Sequence, residues 1–197
     1  MQSQTFVFFG IVGSGKGTQV KLLINFLKTK SSDECVYIGT GEIFRKIVES
    51  SGDNPDKKEV KELLSSGRLI PDEMTNKLVS EAIEANVSLE KHVVFDGYPR
   101  TVAQSKFFED KMNACQRKNV KIIYIEVGRE EAMKRNLLRG RHDDTEEGLA
   151  KRFDEYVNNV IPAMNYFKDK TGYEIYTIGG EQSIEDVHKN IIKALNF

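Results

Sequence analysis

The sequence predicts a three-layer α/β fold, with a central parallel β-sheet of about five strands flanked by helices. Three observations carry that expectation. Short apolar runs rich in β-formers recur along the chain, helical patterns separate them, and a glycine-rich turn joins the first run to the first helix.

The runs are "TFVFF" at 5–9, "CVYI" at 35–38, "HVVFD" at 92–96, "VKIIYIEV" at 120–127 and "YEIYTI" at 173–178. They are mostly continuous rather than alternating, as strands buried on both faces of a parallel sheet require. In "KGTQVKLLINFLK", Val20, Leu23, Ile24 and Leu27 form an apolar stripe at helical spacing. Two intervals exceed a simple crossover. Residues 39–91 hold more than one helix, with turns at "SSGDNPDKK" and "SSGRLIPDE". Residues 128–172 hold at least two, with a polar turn at "RGRHDDTEE", where Asp144 and Glu147 have the spacing of a helix cap and its reciprocal partner. No repeat, low-complexity segment or linker divides the chain. The expectation is one domain over 1–197 carrying two excursions, about 39–68 and about 135–145.

Composition bounds the function. The 197 residues suffice for one well-buried core. Twenty-nine Lys plus Arg stand against thirty Asp plus Glu, a formal charge of −1, so no global field favours nucleic acid or an anionic membrane. No apolar run approaches the roughly 18 residues of a membrane span, and the N-terminus lacks a signal core. Cys35 and Cys115 lie far apart without metal-ligand spacing, which suits a reduced, cytoplasmic setting.

Chemistry concentrates in a few motifs. "GIVGSGKG" has GxxxxGK spacing between a strand and a helix. Glycines let successive N–H groups converge on phosphate oxygens, the helix N-terminus adds partial positive charge, and Lys16 adds a full one. Gly17 stands where many such loops put a hydroxyl on magnesium, and Thr18 follows one place later. Arg45, Arg100, Arg135, Arg139, Arg141 and Arg152 are candidates to surround the charge that phosphoryl transfer spreads over several oxygens. Arg100 follows a Gly-Tyr-Pro turn after a buried strand, at the end where open α/β sheets bind ligands. Asp96 ends that strand and would hold magnesium directly or through water.

Five blocks resemble, in order, those of the adenylate kinase family of nucleoside monophosphate kinases. They are "GIVGSGKGTQ", "GTGEIFR", "SGRLIPDE", "DGYPRTVAQ" and "GRHDDTEEGLAKRF". The family pattern usually has proline at Val12, aspartate at Glu42 and phenylalanine at Tyr98. The resemblance implies a P-loop kinase fold, a cytoplasmic monomer, and the reaction ATP + AMP to two ADP with Mg2+. It implies that Gly13, Ser14, Gly15, Lys16, Gly17 and Thr18 bind the ATP phosphates, with Gln182 near the donor adenine. Thr40, Gly41, Arg45, Arg68, Leu69, Ile70, Gly97, Tyr98, Pro99, Arg100 and Gln104 would form the AMP site. Arg135, Arg139, Arg141 and Arg152 would surround the transferring phosphoryl, with Arg139 also against the ATP base and Arg141 and Arg152 also facing AMP. Asp96 and Glu42 would orient magnesium through its waters, without a zinc site.

Thr40 and "PRT" at 99–101 resemble AMP-specific members; UMP/CMP kinases more often show alanine and "PRN". A UMP/CMP kinase of the same fold and a non-catalytic nucleotide-sensing module are the alternatives. In the lid only Gly140 separates Arg139 from Arg141, shorter than the resemblance leads one to expect, and raised ATP hydrolysis is the expected consequence.

Overall fold

The computed structural model describes residues 3–30, 34–51, 55–139 and 145–197, apart from the side chain of Arg139. The five apolar runs become strands β1 (Thr5–Phe9), β2 (Cys35–Gly39), β3 (His92–Asp96), β4 (Val120–Glu126) and β5 (Tyr173–Gly179). They pair in the order β2-β3-β1-β4-β5, every pair parallel. The expected α/β architecture is therefore present. Register aligns Gly39 with Asp96, and Asp96 with Phe8, so three chain segments reach the C-terminal end of the sheet together.

Alternation along β1 assembles the layers. Val7 and Phe9 face one side, where Val79 and Ile83 of α4 (Asp72–Asn86) and Phe108 and Met112 of α5 (Val102–Ala114) complete the core. Phe6 and Phe8 face the other, against Val20, Leu23 and Leu27 of α1 (Lys16–Lys30) and Val187 and Ile191 of α9 (Ile184–Ala194). The stripe read from the sequence is the stripe that packs. Phe108 meets Phe95, Tyr98 and Phe167 edge-on, at centroid distances of 5.1, 6.2 and 5.9 Å. It thereby ties the segment after β3 to the core beneath it.

Each long interval builds a small core of its own. Phe44 of α2 (Thr40–Glu49), Val60 of α3 (Lys57–Ser66) and Ile70 form one. Ile11, Ala132 of α6 (Arg129–Arg139), and Leu149 and Phe153 of α7 (Glu146–Glu155) form the other. α7 continues through a π-turn at Tyr156–Val160 into α8 (Ile161–Asn165). The cap of α7 differs from the expected one. Thr145, not Asp144, is the N-cap, and its Oγ1 accepts from Gly148 N at 3.1 Å, while Glu147 pairs with Lys151. A threonine at the residue next to the helix satisfies the orphan N–H, and Asp144 lies outside the described residues.

Candidate active site

The loop between β1 and α1 is shaped by glycines that cannot be exchanged freely. Gly13 has φ +87°, and a Cβ there would lie 2.5 Å from both the Ala132 carbonyl oxygen and Asn136 Nδ2. α6 is therefore packed directly on the loop. Asn136, fully buried, donates through Nδ2 to the Val12 carbonyl at 3.0 Å and to the Ala132 carbonyl at 2.8 Å. At Gly15 and Gly17, by contrast, no atom of the described residues, the adjoining chain apart, lies within 4 Å of where a Cβ would stand, as a phosphate cradle needs. The Ser14 hydroxyl is buried and has no hydrogen-bond partner among the described residues. Lys16 Nζ folds back to the carbonyls of Gly10 and Ile11, at 2.6 and 3.2 Å. Thr18 N bonds the Gly15 carbonyl in the first turn of α1.

Across the sheet end stands the segment after β3. The Tyr98–Pro99 peptide is cis. Gly97, at φ +74°, brings its carbonyl within 2.7 Å of both Thr40 Oγ1 and Arg100 Nε, each of which donates to it. Burial pushes the Arg100 pKa down, Asp96 opposes that shift, and the positive charges of Arg152 and Arg45 add to it. Four of the residues singled out in the sequence thus share one electrostatic neighbourhood. The Arg45 guanidinium also lies over Gly41, and Arg152 Nη2 donates to the Leu64 carbonyl of α3 at 3.3 Å. Arg68 is exposed, Leu69 half-buried, and Ile70 belongs to the small core of α2 and α3.

Arg135 is held differently. Its Nε donates to Glu131 at 2.7 Å and its Nη1 to the Gly180 carbonyl at 2.8 Å, joining α6 to the turn after β5. Gln182 lies in that turn and accepts from Asn190. Arg141, Gly140 and the Arg139 side chain lie outside the described residues.

Asp96 is half-buried and makes no salt bridge among the described residues. The Tyr37 hydroxyl approaches it to 3.5 Å; burial first, then the Asp96 and Glu42 charges, push that phenol up to about 12. Glu42 pairs with Lys46 at 3.0 Å on the exposed side of α2. No group of three or more metal-ligating side chains occurs among the described residues. One or two carboxylates beside a phosphate cradle fit Mg2+, which keeps several waters and takes other ligands from substrate phosphates.

Two site residues were not anticipated. Asp72 accepts from Gln104 Nε2 at 2.8 Å and from Thr101 Oγ1 at 2.9 Å, and Asn136 pins the loop. Tyr98, where the family pattern has phenylalanine, donates its buried hydroxyl to Asn76 Oδ1 at 2.7 Å.

Comparison with known proteins agrees with this geometry. The family model for adenylate kinase matches residues 8–172. The adenylate kinase of Oenococcus oeni is 32% identical over 195 residues, covering 98% of each chain. Those of Prochlorococcus marinus and Thermosipho africanus are 34% identical over 163 residues and 30% identical over 220, covering 83% and 96% of this chain and 84% and 98% of their own. With the parallel sheet, the glycine cradle and the arginine-ringed strand end in place, the chain belongs to the adenylate kinase family, a family of nucleoside monophosphate kinases and hence of phosphotransferases.

Proposed function

We propose that this protein transfers the terminal phosphoryl group of ATP to AMP, giving two ADP, and runs the reaction in both directions. The observation that supports this most is Arg100, half-buried at the sheet end with its Nε on the Gly97 carbonyl at 2.7 Å, beside Asp96 and with Arg45 and Arg152 as like-charged neighbours. Such crowding is costly unless a polyanion completes it, and a monophosphate ester does so.

In this reading the ATP phosphates enter the cradle around Gly13 to Thr18, and Lys16 exchanges its two loop carbonyls for phosphate oxygens. Arg45 and Arg100 hold the AMP phosphate so that one of its oxygens faces the terminal phosphorus of ATP. That oxygen forms the new P–O bond as the bond to the ADP leaving group breaks. Arg135, Arg139, Arg141 and Arg152 supply positive charge for the oxygens in flight. Asp96 and Glu42 are the carboxylates that would hold a magnesium ion through water, which would supply positive charge to the donor phosphates. No covalent intermediate is needed. Nor is a histidine base: of the three histidines, His92 is buried at the start of β3, where its Nδ1 accepts from Gln4 N, His188 lies in α9, and His142 lies outside the described residues. Thr40 and Gln104 face the acceptor base, and the backbone of 68–70 lines its pocket.

In this reading the excursion at about 39–68 serves AMP and the short lid at about 135–145 serves ATP, within one domain. No helix among the described residues is long and apolar enough to cross a membrane. A cytoplasmic monomer acting in adenine nucleotide homeostasis, without a nucleic-acid or membrane partner, is the setting we propose.

Steady-state transfer from Mg-ATP to AMP, UMP, CMP and GMP, with a no-acceptor control, tests the reading. AMP should lead UMP and GMP by at least about tenfold in kcat/KM. A lead for UMP would instead identify a pyrimidine kinase, and binding without transfer to any acceptor would leave a sensing module. The control should show more hydrolysis per transfer than a short-lid relative assayed in parallel, and a ratio no higher would overturn the expected effect of the lid.

A further inference from the structure

Gln104 sits in a closed ring of hydrogen bonds. Its Nε2 donates to Asp72 Oδ1 at 2.8 Å, and its Oε1 accepts from Arg100 N at 2.8 Å. Asp72 Oδ2 accepts from Thr101 Oγ1 at 2.9 Å, and Thr101 Oγ1 accepts in turn from Gln104 N at 3.1 Å. Asp72 is the first residue of α4, where the helix N-terminus favours its charge. Gln104 is 1% exposed, so this ring and not water decides how its amide points.

We propose that Asp72 is a specificity-determining positioning residue: it locks the Gln104 amide in the one orientation that pairs with a 6-amino base edge and refuses a 6-oxo edge. The inference rests on the reading above that Gln104 faces the acceptor base. An amide turned over would set its oxygen against the Asp72 carboxylate, acceptor to acceptor. It would also set its NH2 against the Arg100 N–H, donor to donor. Both bonds would be lost and two buried repulsions gained.

In the locked orientation each amide atom keeps one unspent valence, an N–H on Nε2 and a lone pair on Oε1, in fixed order. Adenine offers a ring-nitrogen acceptor beside an amino donor, which that order matches. Hypoxanthine and guanine offer an N–H donor beside a carbonyl acceptor, which demands the reverse order. Cytosine shares the adenine pattern and uracil does not, so selection at this residue is amino against oxo, and the purine–pyrimidine choice belongs to pocket size. Discrimination by buried polar groups left unpaired is stronger than any available from shape alone.

The experiment compares kcat/KM for AMP with that for inosine monophosphate, which differs from AMP only in this edge. The ratio is taken on a single preparation, so the active fraction cancels. Asp72→Ala, with Asp72→Leu as a second variant closer in volume, should lower the AMP-over-IMP ratio by at least about tenfold. Asp72→Asn should hold most of the ratio, because its Oδ1 still accepts from Nε2. Gln104→Ala should lower the ratio as far as Asp72→Ala does, and the double variant no further. If Gln104→Ala leaves the ratio intact, the acceptor-base reading of Gln104 falls, and this inference with it. If Gln104→Ala lowers the ratio while Asp72→Ala and Asp72→Leu do not, only the locking role is overturned. Equal losses in Asp72→Asn and Asp72→Ala would also overturn it, since charge rather than orientation would then be at work.

Discussion

Two inward-held arginines stand at opposite ends of the same sheet, and their surroundings differ in every respect that matters. Arg117, at the N-terminal end, donates from Nε to Thr5 Oγ1 at 2.6 Å, from Nη1 to the Ser88 carbonyl at 2.7 Å and from Nη2 to the Lys91 carbonyl at 2.9 Å. Each guanidinium nitrogen has a neutral oxygen. Arg100, at the C-terminal end, has one such bond, to the Gly97 carbonyl, and two further arginines for neighbours. Burial disfavours the charge on both. A satisfied buried arginine is a staple. Arg100, with one guanidinium bond among the described residues and Asp96, Arg45 and Arg152 around it, is the group that the proposed reading assigns to the acceptor phosphate.

Removing each arginine should therefore break different things. Arg100→Ala should cut phosphoryl transfer to AMP by about 1000-fold, with much less effect on hydrolysis without acceptor and a folded-state stability within about 1 kcal/mol of the parent. Parallel transfer and hydrolysis assays on one preparation measure this; equal losses would remove Arg100 from the acceptor site. Arg117→Met should do the opposite. It removes three hydrogen bonds and leaves the buried Thr5 hydroxyl without its donor, and should cost about 1–3 kcal/mol in urea unfolding while KM for AMP stays put. A shifted KM there would mean that the two ends of the sheet are not independent.

The contrast also marks where the sequence was legible. The strands, the apolar stripe of α1 and the glycine-rich turn between β1 and α1 were readable, because each announces itself through local spacing: continuous β-formers, a 3.6-residue period, GxxxxGK. The placement of Arg100 at the C-terminal end of the sheet was readable from its position just after β3. Arg117 was not, since "CQRKN" reads as an ordinary basic turn and its partners lie 26 to 112 residues away. Asp72 was hidden in plain view within "SGRLIPDE", where an acidic residue at a helix start needs no further explanation. Asn136 was overshadowed by Arg135. What stays illegible is a side chain whose role is fixed by something far along the chain.

Smaller perturbations should reproduce the same division one step removed from each guanidinium. Gly97→Ala forces a Cβ to within 2.7 Å of Arg100 Nη2 and 3.1 Å of Thr40 Oγ1, at a φ of +74° that alanine adopts only with strain. The tip of Arg100 is the movable part, so it should yield. Transfer to AMP should fall about 10- to 100-fold, chiefly through KM for AMP, with KM for ATP little changed. Loss confined to KM for ATP would place the disturbance in the wrong half of the cleft.

Thr5→Val is the mildest and the most discriminating. The two side chains have nearly the same shape, Thr5 is 1% exposed, and β1 favours a β-branched residue at that position, so packing and propensity are kept. What disappears is the oxygen that receives Arg117 Nε, leaving one N–H of a buried cation without its acceptor. That should cost about 1 kcal/mol in urea unfolding and change no kinetic constant. In the Arg117→Met background the same substitution should cost nothing, because the donor it strands is gone, and the non-additivity measures the bond itself. If Thr5→Val is equally costly in both backgrounds, the hydroxyl serves the strand rather than the arginine. Arg117 would then be held by its two carbonyls alone, and the contrast with Arg100 would narrow from three satisfied donors against one to two against one.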